Sequence, residues 1–308
     1  MTFLNRHLNR HRALSLCAFM LVCGVSTAQQ DLQMSLSALS PMSINPAASG
    51  MNDGFKVTSL TRLQWLGWDG AAKTQVATVD APFFRGFGGS GFALTQDLVG
   101  SRSFTSATFS GAAHLPISEE HRVSFGLCGS LRRHGIDFSG LRVHDVTDVA
   151  FASNFRGWSP NFGAGVIFRA PNFHVGYSIP HLMLDSISEF GTQFERHHYV
   201  VSGWTKPLQG GWHLRTNALI KWVKQAPVAL DLNAILEWQD ILGLGGSMRW
   251  GESLGLLFST KFRPQTRFVY CIEVPYNKLR HGNVGTHEIG IVWTPGQGDR
   301  TVLHPRYF

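Results

Sequence analysis

Alternation of apolar and polar residues constrains this chain more than any other feature, and it is clearest between residues 228 and 250. From Val228 every second residue is apolar, while the intervening set includes Asp231, Asn233 and Glu237. Because successive side chains of a strand point to opposite faces, this pattern predicts a strand with one apolar and one polar face. A polar face rich in charges and amides is typical of a sheet that encloses a polar lumen and turns its apolar face to lipid.

The same alternation recurs along the chain and predicts an all-β protein, a transmembrane antiparallel β-barrel of about 14 strands. An even number of strands is what single-chain bacterial barrels require. The predicted strands are, in order, 55–65, 73–81, 87–95, 104–115, 122–132, 161–169, 173–179, 199–205, 212–223, 228–237, 241–250, 253–260, 267–274 and 286–293.

The predicted connections fall into two classes by length. If the chain starts on the periplasmic side, the odd connections are outer loops and the even ones are short inner turns. The three longest connections, 133–160, 180–198 and 275–285, all have odd places in that numbering. The even connections 116–121, 170–172, 206–211, 238–240 and 261–266 are brief. This sorting favours a barrel over a soluble β-sandwich.

Tryptophans lie at or near the ends of the predicted strands. They are Trp65, Trp68, Trp204, Trp212, Trp222, Trp238, Trp250 and Trp293. Aromatic rings favour the headgroup level of a bilayer and form girdles at both faces of membrane barrels. Their positions therefore add support to the barrel interpretation.

The first 28 residues have the pattern of an export signal, with three arginines, an apolar run at 13–25 and the small-x-small site Ser26-Thr27-Ala28. We therefore predict a signal peptide at 1–28, a periplasmic N-terminal segment at 29–53, the barrel at 54–293 and a C-terminal tail at 294–308. No window approaches the roughly 20 apolar residues that a membrane helix needs. The expected location is the cell outer membrane.

Charge and cysteine content exclude several classes of protein. Charged residues are 15% of the chain, against about 25% in soluble domains. Without residues 1–28 there are 24 basic and 20 acidic residues, and the excess is scattered, so no nucleic-acid partner is expected. Cys128 and Cys271 lie far apart on polar faces of separate predicted strands and are expected to be unpaired thiols.

Three motifs could suggest enzymatic or metal chemistry. The run 86–91 matches G-x-G-x-x-G, but a strand follows it rather than a helix, so small residues that ease barrel packing are the better interpretation. His197 and His198 point to opposite faces of a strand and cannot readily chelate one ion. The loop residues Ser139, His144, Asp145 and Asp148 could form a hydrolase site, but proximity in sequence is not triad geometry. We expect no catalytic residues, no metal site and no cofactor.

The most informative set of residues is the charged and amide side chains on the polar faces of the predicted strands. The set is Arg62, Arg122, Arg132, Arg215, Lys221, Asp231, Asn233, Arg249, Arg267, Glu273 and Glu288. A buried charge must be paired or hydrated. These residues form either an internal ion-pair network that holds the shape of the barrel or a lumen that receives a polypeptide or passes small solutes. The sequence leaves both open.

Short motifs are spread through the mature chain: 44–47 (INPA), 64–67 (QWLG), 69–71 (DGA), 160–165 (PNFGAG), 175–182 (VGYSIPHL), 196–199 (RHHY), 226–227 (AP), 231–234 (DLNA) and 285–289 (GTHEI). In this order and spacing they resemble the PorP/SprF family of outer-membrane proteins of the type IX secretion system. The resemblance implies a barrel that works with periplasmic ring lipoproteins of that machinery. It also implies export or surface attachment of secreted proteins and gliding adhesins, whose cargo C-terminal domains would be partners.

Two functions follow as expectations. The first is a non-enzymatic outer-membrane accessory of the type IX secretion system, surrounded by outer-membrane lipid, in which long outer loops hold cargo. In this role the inner turns and the segment 29–53 contact periplasmic partners. The alternative is a general diffusion porin of the outer membrane, which the polar lumen would suit.

Overall fold

The chain folds into a closed antiparallel β-barrel of 14 strands, as the alternation predicted. The computed structural model describes residues 33–138, 155–183, 186–187, 192–193, 195–224, 226–277, 282 and 284–295. The predicted signal peptide, the loop residues Ser139, His144, Asp145 and Asp148, and nearly all of the C-terminal tail lie outside these ranges. No helix within them has the length and apolar character of a membrane span.

The strands follow one another around the wall in chain order. They are β1 (Lys56–Leu63), β2 (Lys73–Phe83), β3 (Gly88–Val99), β4 (Arg102–Pro116), β5 (Arg122–Ile136), β6 (Phe155–Arg169), β7 (Phe173–Ile179), β10 (His197–Pro207), β11 (Trp212–Val223), β12 (Ala229–Trp238), β13 (Leu242–Arg249), β14 (Ser253–Arg263), β15 (Thr266–Pro275) and β16 (Thr286–Trp293). The short strands β8 (Ser186–Ile187) and β9 (Thr192–Gln193) pair only with each other, between β7 and β10. Pairing of β1 with β16 closes the barrel.

The two ends of the barrel differ in the length of their connections. The longest connections are 137–154, 180–196 and 276–285, and the strand ends that they join lie together at one end of the barrel, which we call the outer end. The opposite, periplasmic end has tight turns such as 239–241 and 264–265. The predicted sorting of loops is therefore confirmed.

Strands β3 to β6 extend further towards the outer end than the sequence predicted. The strand predicted to end at residue 132 continues to Ile136, and the strand predicted to start at residue 161 begins at Phe155. The outward side chains of these additional strand residues are mixed: Arg133 and Arg156 are charged, whereas Leu98 and Trp158 are apolar. The regular alternation of apolar and polar residues is lost over these added residues, so the sequence pattern did not mark the ends of the strands.

The two faces of the wall have the predicted character. Leu127 on β5 and Leu256 on β14 point outward and are each 71% exposed, as expected of side chains that face lipid. Asp231 and Glu237 on β12 point inward and are buried. The alternation therefore assigns the apolar set to the lipid face and the polar set to the lumen.

The lumen is occupied by the segment that precedes β1. Residues 33–51, called here the plug, form three 3₁₀ turns, Ser35–Leu39, Pro41–Ser43 and Pro46–Ala48, and most of their side chains are buried. Residues 29–53 were expected on the periplasmic side, and the described part of them lies inside the barrel instead. The physical reason is that Leu36 and Leu39 pack with the inward apolar side chains Leu60 and Val292, which would otherwise face a polar lumen.

Glycines on the inner wall make room for the plug. A Cβ on Gly126 of β5 would lie 2.1 Å from the backbone nitrogen of Ala47, and one on Gly89 of β3 would lie 2.0 Å from the carbonyl oxygen of Ser49. Because only glycine lets two backbones approach so closely, these positions fix where the plug lies. The run 86–91 therefore serves packing inside the barrel.

Candidate functional site: the plugged lumen

Asn45 fastens the middle of the plug to the wall. Its side-chain oxygen accepts a hydrogen bond from the backbone N–H of Ala47 at 3.0 Å and caps the third 3₁₀ turn. Its amide nitrogen donates to the carbonyl oxygens of Val166 on β6 and Tyr177 on β7, both at 3.2 Å. The side chain is fully buried and uses its donors and its acceptor, so it holds the plug in one register against two strands.

An outer charge cluster lines the lumen in the half nearer the outer end. It consists of Arg62, Asp231, Arg249, Glu252, Glu273 and Glu288. Arg62 pairs with both Glu288 and Glu273, the latter at 3.2 Å between Nη1 and Oε2. Arg249 donates through Nε to Asp231 at 3.0 Å. The cluster therefore opposes two guanidinium groups to four carboxylates.

Donors of the plug offset this excess of negative charge. Glu288 accepts the backbone N–H groups of Ser35 at 2.9 Å and Leu36 at 2.8 Å, at the start of the first 3₁₀ turn. Gln33 donates to Asp231 at 2.6 Å, and the Ser35 hydroxyl donates to Glu273. The plug thus completes the hydrogen bonding of buried carboxylates that the wall alone leaves short of donors.

An inner charge cluster lies at the periplasmic end and consists of Arg215, Glu237, Asp240, Lys261 and Arg267. Glu237 lies 2.9 Å from Nε of Arg215 and also pairs with Arg267. Asp240, in the turn after β12, accepts from Arg267 at 2.5 Å and from Lys261 at 2.9 Å. Burial alone would raise the pKa of the Asp240 carboxyl, but Arg267, Lys261 and Arg215 lower it to about 2.

The end of the plug is held beside the first two strands. The Asp80 carboxylate accepts hydrogen bonds from the backbone N–H of Gly50 at 3.2 Å and from the Asn52 amide at 2.8 Å. Lys56, its cross-strand neighbour on β1, is fully buried. Asp80 therefore fixes the point where the plug leaves the lumen and the wall begins.

All eleven side chains singled out from the sequence belong to inward positions of the wall. The structure brings Arg62, Asp231, Arg249, Glu273 and Glu288 together in the outer cluster, with Asn233 beside them, and Arg215 and Arg267 in the inner cluster. Arg122, Arg132 and Lys221 belong to neither cluster. Arg132 instead lies over the Phe104 ring, 5.0 Å from its centroid.

Sequence reasoning missed several members of the site. Glu237 lies on the same face of its strand as Asp231 and Asn233, so the alternation in the sequence could have placed it in the set of lumen residues. Asp240 lies in a turn, where side chains do not alternate between two faces, so the sequence pattern could not place it. Ser35 and Asn45 bond to the wall from a segment whose sequence shows no alternation. Nothing in the sequence therefore placed that segment in the lumen.

Histidines and cysteines lie as their parity predicts. His197 points inward and is buried, whereas His198 points outward and stacks on Trp222 with ring centroids 5.0 Å apart. Cys128 and Cys271 are free thiols, buried on the lumen side. Within the described ranges, no three His, Cys, Asp or Glu residues are grouped so that they could hold a metal ion.

A cavity of about 60 Å³ separates the plug from the inner faces of β10 to β12. It is lined by plug residues such as Ser37 and Pro41 and by wall residues such as Leu219 and Asn233. This volume holds a few water molecules, each of which needs roughly 10–15 Å³ of such space. The space is too small for a solute such as a sugar.

Comparison with known proteins gives one extended match. A sequence profile described as "Type IX secretion system membrane protein PorP/SprF" matches residues 26–293. No curated protein matches the chain. Similar solved structures include Omp33 of Acinetobacter baumannii (12% identity, 80% of this chain and 100% of that chain, TM-score 0.46), the toluene transporter TbuX of Ralstonia pickettii (8%, 84% and 92%, 0.47) and CdiB of Escherichia coli (9%, 79% and 63%, 0.48). All three TM-scores are below 0.5, so no function follows from them.

Proposed function

The chain belongs to the PorP/SprF family of type IX secretion system membrane proteins, and we propose that it serves that system as a closed, non-enzymatic barrel linking periplasmic ring lipoproteins to cargo at the cell surface. Membership confirms the resemblance found in the sequence. With its 14-strand wall and lipid-facing apolar surface, the protein is an outer-membrane barrel.

The plug is the observation that carries the proposal. A general diffusion porin needs a continuous aqueous path, but here Leu36, Leu39 and Asn45 are buried inside the lumen. The plug is held by charged and amide side chains from β12, β15 and β16, by backbone carbonyl oxygens of β6 and β7 and by the Thr58 hydroxyl of β1. A barrel whose interior is filled in this way is suited to anchoring other proteins rather than to passing solutes.

The periplasmic turns supply the surface for the ring lipoprotein. Phe84 in the turn between β2 and β3 is 78% exposed, and Phe87 and Ile117 near it are also exposed. Phe84 and Arg85 both have positive φ, which non-glycine residues rarely adopt. Exposed aromatic residues on a strained turn favour recognition by a partner over a purely structural role.

The outer connections supply the surface for cargo. The three longest of them lie at the same end of the barrel, where an exported protein would meet it. The outer charge cluster lies inside the barrel next to this end and holds the plug. The surface that receives cargo therefore lies over a lumen that the plug fills.

Pull-down of the tagged protein from detergent extracts tests the linking role. The wild type should recover a ring lipoprotein and an exported adhesin, and Phe84→Ser with Ile117→Ser should lose the lipoprotein. Leu66→Ser, at the outer end, is the matched control and should keep it. Recovery of neither partner by the wild type would contradict the proposal.

Planar-bilayer recording tests the closed state. The wild type should give no steady conductance, whereas a porin would show large, unselective steps. Steady wild-type conductance of that kind would favour the porin alternative.

A further inference from the structure

The outward face of β2 to β6 changes character abruptly near the outer end. Cross-strand pairing places Ala77, Leu94, Ala107, Leu131 and Pro160 in one row around the wall. The next row towards the outer end is Gln75, Gln96, Thr105, Arg133 and Trp158, and the row beyond it is Lys73, Leu98, Ser103, Gly135 and Arg156. We call the polar residues of these two rows the outer polar band; Leu98 and Trp158 are the large apolar side chains among them. Towards the outer end, the apolar outward surface is therefore replaced by mainly polar side chains over these two rows.

Strand length places the outer polar band at the headgroup level. On β5 the outward side chains are apolar or glycine from Val123 to Leu131, and on β6 they are apolar from Phe168 to Trp158. These runs match the roughly 9–11 residues with which a tilted strand crosses the hydrocarbon. The next outward residues on β5 and β6 are the two arginines of the band, which therefore meet the outer-leaflet headgroups.

Two guanidinium groups flank a polar hollow within the band. A cavity of about 210 Å³ is lined by Arg133, Arg156, Ser103, Thr105, Gln96 and Asp137, among others. Arg133 lies over the Trp158 ring at 5.6 Å from its centroid, and this contact orients its fork. Asp137 supplies one carboxylate against the two cations. The hollow therefore combines net positive charge with hydroxyl and amide donors.

From this arrangement we propose that the hollow binds the phosphate of an outer-leaflet glycolipid, with Arg133 and Arg156 gripping the phosphate and Thr105 and Gln96 donating beside them. Arginine presents a planar fork that matches phosphate bidentately. The apolar rows directly below accept the acyl chains of the same molecule, whereas an acidic peptide would leave them uncovered. This site does not depend on the proposed role in secretion.

Lipid binding to the purified full-length protein, measured by native mass spectrometry, tests the site. The probes are a phosphorylated lipid A and its dephosphorylated form. The wild type should bind the phosphorylated form at least tenfold more tightly than the dephosphorylated one. Arg133→Gln with Arg156→Gln should weaken that binding roughly a hundredfold, since each of the two charged hydrogen-bonding groups contributes about a factor of ten or more.

Matched controls separate this site from general charge effects. Arg263→Gln removes an exposed arginine at the periplasmic end and should bind like the wild type. Arg156→Gln alone leaves the Arg133–Trp158 contact intact, and heat-dependent mobility in gels shows whether each variant is folded. The proposal is overturned if the double variant binds normally, if the dephosphorylated lipid binds equally well, or if free phosphate or a polyglutamate peptide displaces the lipid.

Discussion

The side chain of Asn45 occupies the space that a β-carbon of Gly165 would need. A Cβ built on Gly165 would lie 2.1 Å from Oδ1 of Asn45. The absence of a side chain at Gly165 on β6 therefore makes the space that the Asn45 amide of the plug fills. They connect a motif near the N-terminus with a strand more than a hundred residues away.

Gly165→Ala should displace the plug. The added methyl group overlaps Asn45, and overpacking of this kind costs roughly 1–3 kcal/mol. We expect a lower unfolding midpoint in urea and steady current in planar bilayers. Gly111→Ala, at a wall position where a Cβ meets nothing within 4 Å, is the matched control and should change neither. Equal behaviour of the two variants would show that the plug does not depend on this fit.

Asn45→Ala should weaken the plug without creating a clash. It removes two donated hydrogen bonds and one accepted one, and leaves the carbonyl oxygens of Val166 and Tyr177 with less bonding. The expected cost is about 1–3 kcal/mol in the free energy of unfolding. Asn45→Asp keeps the acceptor that caps the third 3₁₀ turn but loses both donors. Its free energy of unfolding should therefore exceed that of the alanine variant by no more than the contribution of one hydrogen bond.

Glu288→Gln should destabilise the barrel by roughly 2–5 kcal/mol, because it leaves Arg62 buried with less compensating charge. The measurement is urea unfolding followed by tryptophan fluorescence. Adding Arg62→Gln should cost less than the sum of the two single changes, since the pair is removed together. Glu119→Gln, in an exposed periplasmic turn, is the control. Additive losses in the double variant would argue against the pairing.

Asp240→Asn should reduce stability in a pH-dependent way. Nearby cations lower the pKa of the Asp240 carboxyl from 3.8 to about 2, so its contribution is present above pH 4 and is lost as the pH falls towards 2. At pH 7 the variant should be about 2 kcal/mol less stable than the wild type. The two unfolding curves should converge near pH 2. Asp69→Asn, at an exposed outer turn, serves as the comparison and should match the wild type at pH 7.

Phe84→Asn with Arg85→Gly should stabilise the protein. Both positions have positive φ, 49° and 57°, and an Asn-Gly turn adopts this geometry without strain. The gain should be roughly 1–3 kcal/mol in the free energy of unfolding. Because the variant also removes the exposed Phe84 ring, it should lose the ring lipoprotein, and normal recovery would contradict the role proposed for this turn.

The sequence predicted the wall well because lipid imposes a strict rule on it. Every outward position of β12 and β13 is apolar or small, so Leu232 and Met248 could be assigned to the lipid face from parity alone. The charged set was found by the same rule. The outer end of β5 escaped prediction because both of its faces are polar there, and that of β6 because Gly157 and Pro160 are more typical of turns than of strands.

The plug could not be predicted in the same way. Its residues form 3₁₀ turns whose side chains pack in several directions, so no period appears in the sequence. Indirect signs did exist. Inward Leu60 and Val292 break the polar pattern of the lumen, and Gly126 and Gly165 leave gaps on the inner wall. None of these signs predicts a plug by itself. They are explained only in the folded barrel, where these residues all contact the plug.

The position of the plug also constrains the order in which the barrel can be built. The plug precedes β1, yet it contacts β16 through Glu288 and β6 through Val166. A wall that closes first would leave only a narrow mouth for threading a segment of this width. We therefore expect the seam between β1 and β16 to form around an interior that the plug already occupies, so that the plug offers a surface on which the last strand docks.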